Sequence, residues 1–236
     1  MASTAYRAED LVLWSDQTML VVNKPAGVLV NPGGFSKRGQ SSNVSLREIL
    51  EPRYGRLWLV HRLDRDTSGA VVLARTPAAM EALRAAFRER RVLKEYLALV
   101  HGGPVEQRFA VDAPLGPAEG HRDRQVVRDD AGGKAACTEF ELLERFEDHA
   151  LLRCRPRSGR RHQIRAHLLH AGLPLVGDAL YGARDAPPLP AAAPPLGHHA
   201  LHAARLAFEH PAGGAPVDVT APTRAELAAL LAWLRR

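Results

Sequence analysis

The stretch that decides the reading of this chain is His61-Arg62-Leu63-Asp64-Arg65-Asp66-Thr67-Ser68-Gly69. It is framed by the apolar runs Leu57-Trp58-Leu59-Val60 and Ala70-Val71-Val72-Leu73-Ala74. The length and β-branched content of those runs predict two buried strands joined by a tight polar loop. A carboxylate held at a strand end by Thr, Ser and Gly turn chemistry is placed to act on something docked against it. The arginines on either side of Asp64 favour an anionic partner, a phosphate or another carboxylate. From these residues alone, a catalytic loop and a solvated turn that caps a strand are both open readings.

Working outward, 236 residues make one sizeable domain or two small ones sharing a cleft. A hydrophobic content of 46% excludes a disordered chain. The net charge of +6 is not spread evenly, since arginines cluster in Arg84 to Arg91, Arg122 to Arg128 and Arg153 to Arg165. Such clustering predicts a polyanionic partner and favours a phosphate backbone. Cys137 and Cys154 form neither a metal motif nor a secreted disulfide framework, and are expected as small buried side chains. The first ten residues lack the apolar core of a secretory signal, and no apolar run reaches the length of a membrane span. A soluble, cytoplasmic protein is expected.

Along the chain, Leu11 to Trp14 and Met19 to Asn23 predict a hairpin turning at Ser15-Asp16-Gln17-Thr18. Asn31-Pro32-Gly33-Gly34 opens a loop, and Ser45 is the expected N-cap of a short helix over Leu46 to Leu50. Thr76-Pro77 starts a helix with proline at its first position, burying Met80, Leu83 and Phe87. Val92 to Val100 returns as a strand with Lys94, Tyr96 and Ala98 on one face. Glycine, proline and charge then dominate until the strands Ala135 to Phe146 and Ala150 to Arg155. Ser158-Gly159 is expected to cap a helix running to about His170, which would set Arg161 and Arg165 one turn apart on one face. The proline-rich loop 184–197 has no evident core to build, Leu201 to His210 is a strand, and Thr223 starts a terminal helix. These elements predict an α+β (mixed α/β) fold around a largely antiparallel mixed sheet with flanking helices.

The motif loop keeps specific company. Asn23-Lys24-Pro25-Ala26-Gly27-Val28-Leu29-Val30 precedes it, and Lys94-Glu95-Tyr96-Leu97-Ala98-Leu99-Val100 follows. Then come Ser158-Gly159-Arg160-Arg161-His162-Gln163-Ile164-Arg165-Ala166-His167-Leu168 and Gly177-Asp178-Ala179-Leu180-Tyr181-Gly182. In this order, over most of the chain, these blocks resemble the RluA family of RNA pseudouridine synthases. The resemblance implies a pseudouridine synthase fold with a central RNA-binding cleft, and a single catalytic domain over 1–236 with a flexible 1–10. It also implies isomerisation of uridine in a tRNA or a large-subunit rRNA stem-loop, by a monomer needing no metal or other cofactor. The first block begins near Leu20, which leaves no room for an N-terminal S4-like module and favours the short members of the family.

By the same resemblance, Asp64 matches the essential aspartate. An ionised carboxylate there could attack C1′ or C6 of the nucleotide or assist C2′ deprotonation. Arg165 matches the arginine that pairs with it and would keep it charged. Tyr96 matches the active-site tyrosine, a ring to stack on uracil and a hydroxyl within reach of a ring proton. Arg62 matches the residue that fills the space left by the extruded base. Arg62, His61, Arg161, His162 and Gln163 are the residues expected to face RNA and the flipped base, with His61 supporting the loop and not transferring protons. Arg161 stands where the family has a small hydroxyl residue. Asp66, before Thr67-Ser68-Gly69, suits a bracing role. Two rival classes remain: a two-metal nuclease using Asp64, Asp66 and Asp178, and a non-catalytic RNA-binding domain. The histidine groups His167/His170 and His198/His199/His202 lack the partners of a structural metal site.

Overall fold

The structure, a computed structural model, describes residues 6–31, 44–182 and 189–236. The loop expected after Asn31-Pro32 therefore lies largely outside the described residues, as do 1–5 and the first part of the proline-rich loop. In chain order the elements begin with helix α1 (Ala8–Leu11), strands β1 (Val12–Ser15) and β2 (Met19–Lys24), and helix α2 (Leu46–Tyr54). Strands β3 (Trp58–Leu59) and β4 (Ser68–Ala74) and helix α3 (Pro77–Arg88) follow. Next come strands β5 (Leu93–His101), β6 (Arg108–Asp112), β7 (Leu115–Ala118), β8 (His121–Val127), β9 (Cys137–Arg145) and β10 (His149–Pro156). Helix α4 (Gln163–His170), strands β11 (Leu201–Phe208) and β12 (Val217–Thr220) and helix α5 (Ala225–Leu234) complete the chain. The fold is α+β, and it divides into two compact units, 1–93 with 203–222, and 94–202 with 223–236.

In the first unit the hairpin β1–β2 turns where expected, because the Asp16 carboxylate accepts from the Thr18 and Met19 N–H groups at 2.7 and 2.9 Å. Strand β2 pairs antiparallel with β4, β3 with the far end of β4, and β11 with β12. Helix α2 opens on a capping box between Ser45 and Glu48 and continues through Pro52, one turn beyond its expected end. Helix α3 starts as its sequence dictates: the Thr76 hydroxyl accepts from the Ala79 N–H at 3.1 Å and Pro77 takes the first turn. It lays Ala79, Leu83 and Ala86 on Met19, Val21, Val72, Leu206 and Phe208, with Met80 and Phe87 at the edge of that core. Residues 8–10, expected to be flexible, form with Leu11, expected in a strand, a helical turn that buries Ala8 and Leu11.

The second unit is an antiparallel sheet in the order β5-β10-β9-β6, with the separate hairpin β7–β8. The two faces of β5 serve different cores, as a period of two requires. Tyr96, Ala98 and Val100 pack with Leu152, Cys154, Ile164 and Leu168. Leu97 and Leu99 pack with Leu151, Val176, Leu227 and Leu230. The proline-rich loop does contribute to a core, contrary to its composition: Leu189, Ala193 and Leu196 pack against this second cluster. Helix α5 is capped at Arg224 with no side-chain bond, not at Thr223. No helix among the described residues is long and apolar enough to cross a membrane.

Candidate functional site

The motif loop runs from β3 to β4 inside the first unit, and three devices hold it. A turn closes it, with the Thr67 N–H donating to the Asp64 carbonyl at 3.2 Å. The second device is a lysine. Lys24 is fully buried, and its ammonium donates to the carbonyls of Pro25 (2.9 Å), Val28 (2.7 Å) and Arg65 (2.8 Å). The Gly27 N–H reaches the same Arg65 carbonyl at 3.0 Å. A buried charge is tolerated only with such acceptors around it, so the Asn23–Val30 block is the clamp on the residue next to Asp64. The third is close packing. Gly69 sits at φ +112°, and a Cβ there would lie 2.2 Å from the Ala203 carbonyl oxygen. Only glycine fits that backbone.

His61 faces inward. Its Nε2 accepts the Val72 N–H at 3.1 Å, and its ring stacks on Phe87 at 4.4 Å between centroids. Accepting at Nε2 requires the neutral tautomer protonated on Nδ1. Arg62 is exposed and has no hydrogen-bond or ion-pair partner among the described residues. Arg65 bonds Asp66 at 2.9 Å in an exposed pair, while Thr67 and Ser68 are buried. Asp64 itself is half-buried.

The second unit brings the Ser158–Leu168 and Gly177–Gly182 blocks together around a buried ion pair. Arg165 Nε and Nη2 each donate to Asp178 carboxylate oxygens at 2.7 Å, with Arg165 at 7% and Asp178 at 4% exposure. Asp178 also accepts the N–H groups of Leu180 and Tyr181, both at 3.0 Å. Burial alone would raise the Asp178 carboxyl. The Arg165 hydrogen bonds and charge, His199 and the Tyr181 N–H together hold it below the usual carboxylate range. The Arg165 guanidinium lies 4.7 Å from the centre of the Tyr181 ring, and Arg124 stands 5.5 Å from it. The Tyr181 hydroxyl accepts from the Gln125 N–H at 2.6 Å and meets His162 Nδ1 at 3.0 Å. Tyr96 is half-buried on β5, its ring against the core of its own unit.

Several sequence expectations change here. Helix α4 begins at Gln163, not at Ser158-Gly159, and its N-cap His162 adopts the left-handed conformation (φ 53°, ψ 21°). Such a backbone costs a non-glycine residue energy and persists only where its surroundings enforce it. Ser158 instead donates to the Gln163 Oε1 at 2.7 Å, where the Arg160 N–H also arrives at 3.0 Å. Gln163 Nε2 donates to the Cys137 carbonyl and to Thr138 Oγ1. All four hydrogen-bonding sites of this buried amide are thus taken within the protein, where it braces the loop. Arg161 precedes the helix, so it does not share a helix face with Arg165. It is exposed and pairs with Asp123 at 2.8 Å.

The basic run 153–165 is also less available than its composition implied. Arg153 pairs with Glu141, Arg155 with Glu95 and Arg157 with Glu139. His167 serves the interior, between Thr138 Oγ1 (2.9 Å) and the Ala113 carbonyl (3.0 Å).

Sequence reasoning missed the roles of Lys24, Asp178 and Tyr181. Each stands in a block that was noticed, and the usable signal was a charged or aromatic residue inside an otherwise apolar or glycine-bounded run. Asp178, weighed above as a metal ligand, is committed to Arg165 and two backbone N–H groups, which removes it from a two-metal arrangement.

Comparison with known proteins follows the same blocks. Residues 18–170 match the family model described as RNA pseudouridylate synthase. The chain is 41% identical over 231 residues to the ribosomal large subunit pseudouridine synthase D of Xanthomonas campestris, covering 95% of this chain and 69% of that one. Among solved structures, human RNA pseudouridylate synthase domain containing 4 superposes with a TM-score of 0.77 at 23% identity, covering 97% of this chain and 94% of that one. Human RNA pseudouridylate synthase domain containing 1 gives 0.72 at 26% identity, covering 99% and 98%.

Proposed function

We infer substrate and mechanism from one premise: the chain belongs to the RNA pseudouridylate synthases, of the RluA family, and is an isomerase. Its substrate, on this proposal, is a structured region of large-subunit ribosomal RNA, and it works in the cytoplasm. The observation that carries the choice of RNA is the 41% identity to a large-subunit synthase over 95% of this chain.

In the reaction the N1–C1′ bond of a uridine breaks, the uracil turns, and C5 joins C1′ with loss of the C5 proton. Asp64 is proposed as the carboxylate that starts it, at C1′, at C6 or through C2′. Support comes from the loop's construction: the Lys24 ammonium, the Thr67 turn and Gly69 fix the backbone on both sides of Asp64 before substrate arrives. Tyr96 is proposed to stack on the uracil and to handle the C5 proton through its hydroxyl. Arg165 is proposed as the active-site cation, its orientation set by the two-point grip of Asp178. Arg62, exposed and beside the acid, is proposed to occupy the gap left by the flipped base. His162 is assigned to hold Tyr181, and His61 to support the loop.

Mapping pseudouridines in ribosomal RNA and tRNA from cells with and without the gene tests the substrate. Loss of one or a few large-subunit sites is expected. An unchanged ribosomal map with a lost tRNA site would overturn the choice of RNA.

A further inference from the structure

The first unit carries an arginine-lined recess outside the motif loop. The recess, of about 220 Å³, is lined by Arg47, Arg56 and Arg84 together with Trp58, Leu59 and Met80, and no carboxylate lines it among the described residues. Each guanidinium is fixed by a different anchor. Arg84 Nε donates to the Leu59 carbonyl at 3.1 Å, and Arg56 rests 5.1 Å from the centre of the Trp58 ring. Arg47 is gripped by Glu51 at 2.7 and 2.5 Å. Glu51 thus compensates Arg47 and also feels the charge of Arg56, while neither Arg56 nor Arg84 forms an ion pair with a carboxylate among the described residues.

The contrast with the larger groove of about 400 Å³ in the second unit decides what this recess is for. That groove is lined by Arg108, Arg153 and Arg155 but also by Glu139 and Glu141, and Glu141 forms ion pairs with all three arginines. A surface meant only to be solvated looks like the groove. Holding two exposed guanidinium groups near a third, with one acid to offset them, is unfavourable until an anion arrives.

We propose that this recess binds phosphodiester groups of the substrate RNA, through Arg56 and Arg84, on the strand flanking the target uridine. Placement supports the choice. Trp58 lies six residues before Asp64 on the same strand and loop, so the recess is within about 22 Å of the motif acid, the reach of an extended chain of that length. Planar guanidinium groups suit two-point recognition of phosphate oxygens. Contacts of this kind set register on the RNA and carry no sequence information.

The inference rests on the RNA-modifying reading, and the test separates the two. Poly(U) is the binding probe, because backbone contacts do not need the target sequence. Binding is measured against salt for the wild type, Arg56→Gln, the double variant Arg56→Gln/Arg84→Gln, and Arg108→Gln from the self-neutralised groove. The slope of log affinity against log salt should fall by about 0.7 in the single and about 1.4 in the double variant. Affinity should drop on the order of 10-fold in the double variant. Arg108→Gln should match the wild type. Arg84 also holds the Leu59 carbonyl, so Arg56→Gln, whose head group rests on the Trp58 face, keeps the test valid if the double variant melts early. Equal slopes and affinities across wild type, single and double variants would overturn the recess, as would no poly(U) binding by the wild type. In parallel, tritium release from C5-labelled ribosomal RNA reads the isomerase. A wild type that shows the slope change yet releases no tritium would sink the functional reading and leave the recess standing.

Discussion

Cutting the buried pair Arg165–Asp178 from each side in turn perturbs the structure where its electrostatics are most concentrated. Asp178→Ala leaves a guanidinium at 7% exposure without its two-point acceptor and deprives the Leu180 and Tyr181 N–H groups of theirs. Removing one partner of a buried ion pair costs about 3–5 kcal/mol. Against a total stability of about 5–15 kcal/mol, that is about a fifth of the whole or more. At roughly 2–4 °C per kcal/mol for a chain of this size, the melting temperature should fall by about 6–20 °C. Arg165→Met should cost a similar amount, because burial then acts on Asp178 without the guanidinium that opposes it. The double variant should cost clearly less than the sum, since no buried charge is left alone, giving a coupling of about 2–3 kcal/mol. Urea unfolding of all four proteins near neutral pH is the assay. The folded carboxyl is held below its unfolded value. Its contribution is therefore fully present above about pH 4 and is lost as pH falls through the folded value, so neutral pH reads the pair intact. Costs that add to within about 0.5 kcal/mol would refute the reasoning, because they would mean the two residues do not act as a pair.

Further outcomes follow from other parts of the fold. His101 and His149 face each other across β5 and β10 at 5.0 Å between rings, and burial lowers both; His149 adds to the lowering of His101, while Asp148 opposes that of His149. Groups kept neutral in this way stabilise fully above their unfolded value of about 6.5, and that stability is lost as pH falls below it. Thermal melts should therefore fall between about pH 7 and pH 5, and less so in His149→Gln; identical pH dependence in the variant would contradict the assignment. Gly69→Ala should destabilise by more than about 2 kcal/mol or prevent folding, given the φ of +112° and the overlap with Ala203; a variant that melts like the wild type would be against it. Tyr96→Phe should bind RNA yet turn over at least 10-fold more slowly in single-turnover assays, and full activity would leave its hydroxyl out of the chemistry.

Where residue chemistry is local, the sequence was readable. Thr76-Pro77 starts α3, the Ser45 capping box starts α2, and the strands on either side of the motif loop alternate or run apolar as burial requires. The three strands between Arg108 and Val127 were not read. Their apolar residues are few, Gly116 and Pro117 interrupt them, and their stability comes from pairing with β9 or with each other. The start of α4 was misplaced for a similar reason. Ser158-Gly159 has the composition of a cap, but Gln163 captures Ser158, and the helix waits for a strained His162. Of the candidate site, the acid and its loop were legible as a motif. The supports were not, because the bond from Lys24 to the Arg65 carbonyl and the pairing of Asp178 with Arg165 join different blocks, which composition does not display.

The central claim is that Asp64 in its braced loop starts the isomerisation of uridine in RNA. Its most direct test is single-turnover tritium release from C5-labelled large-subunit ribosomal RNA by wild type and Asp64→Asn, with RNA affinity measured on the same preparations. Release is expected from the wild type and none above background from Asp64→Asn, with RNA affinity within about 3-fold between them. Release by Asp64→Asn at a rate close to the wild type would contradict that claim.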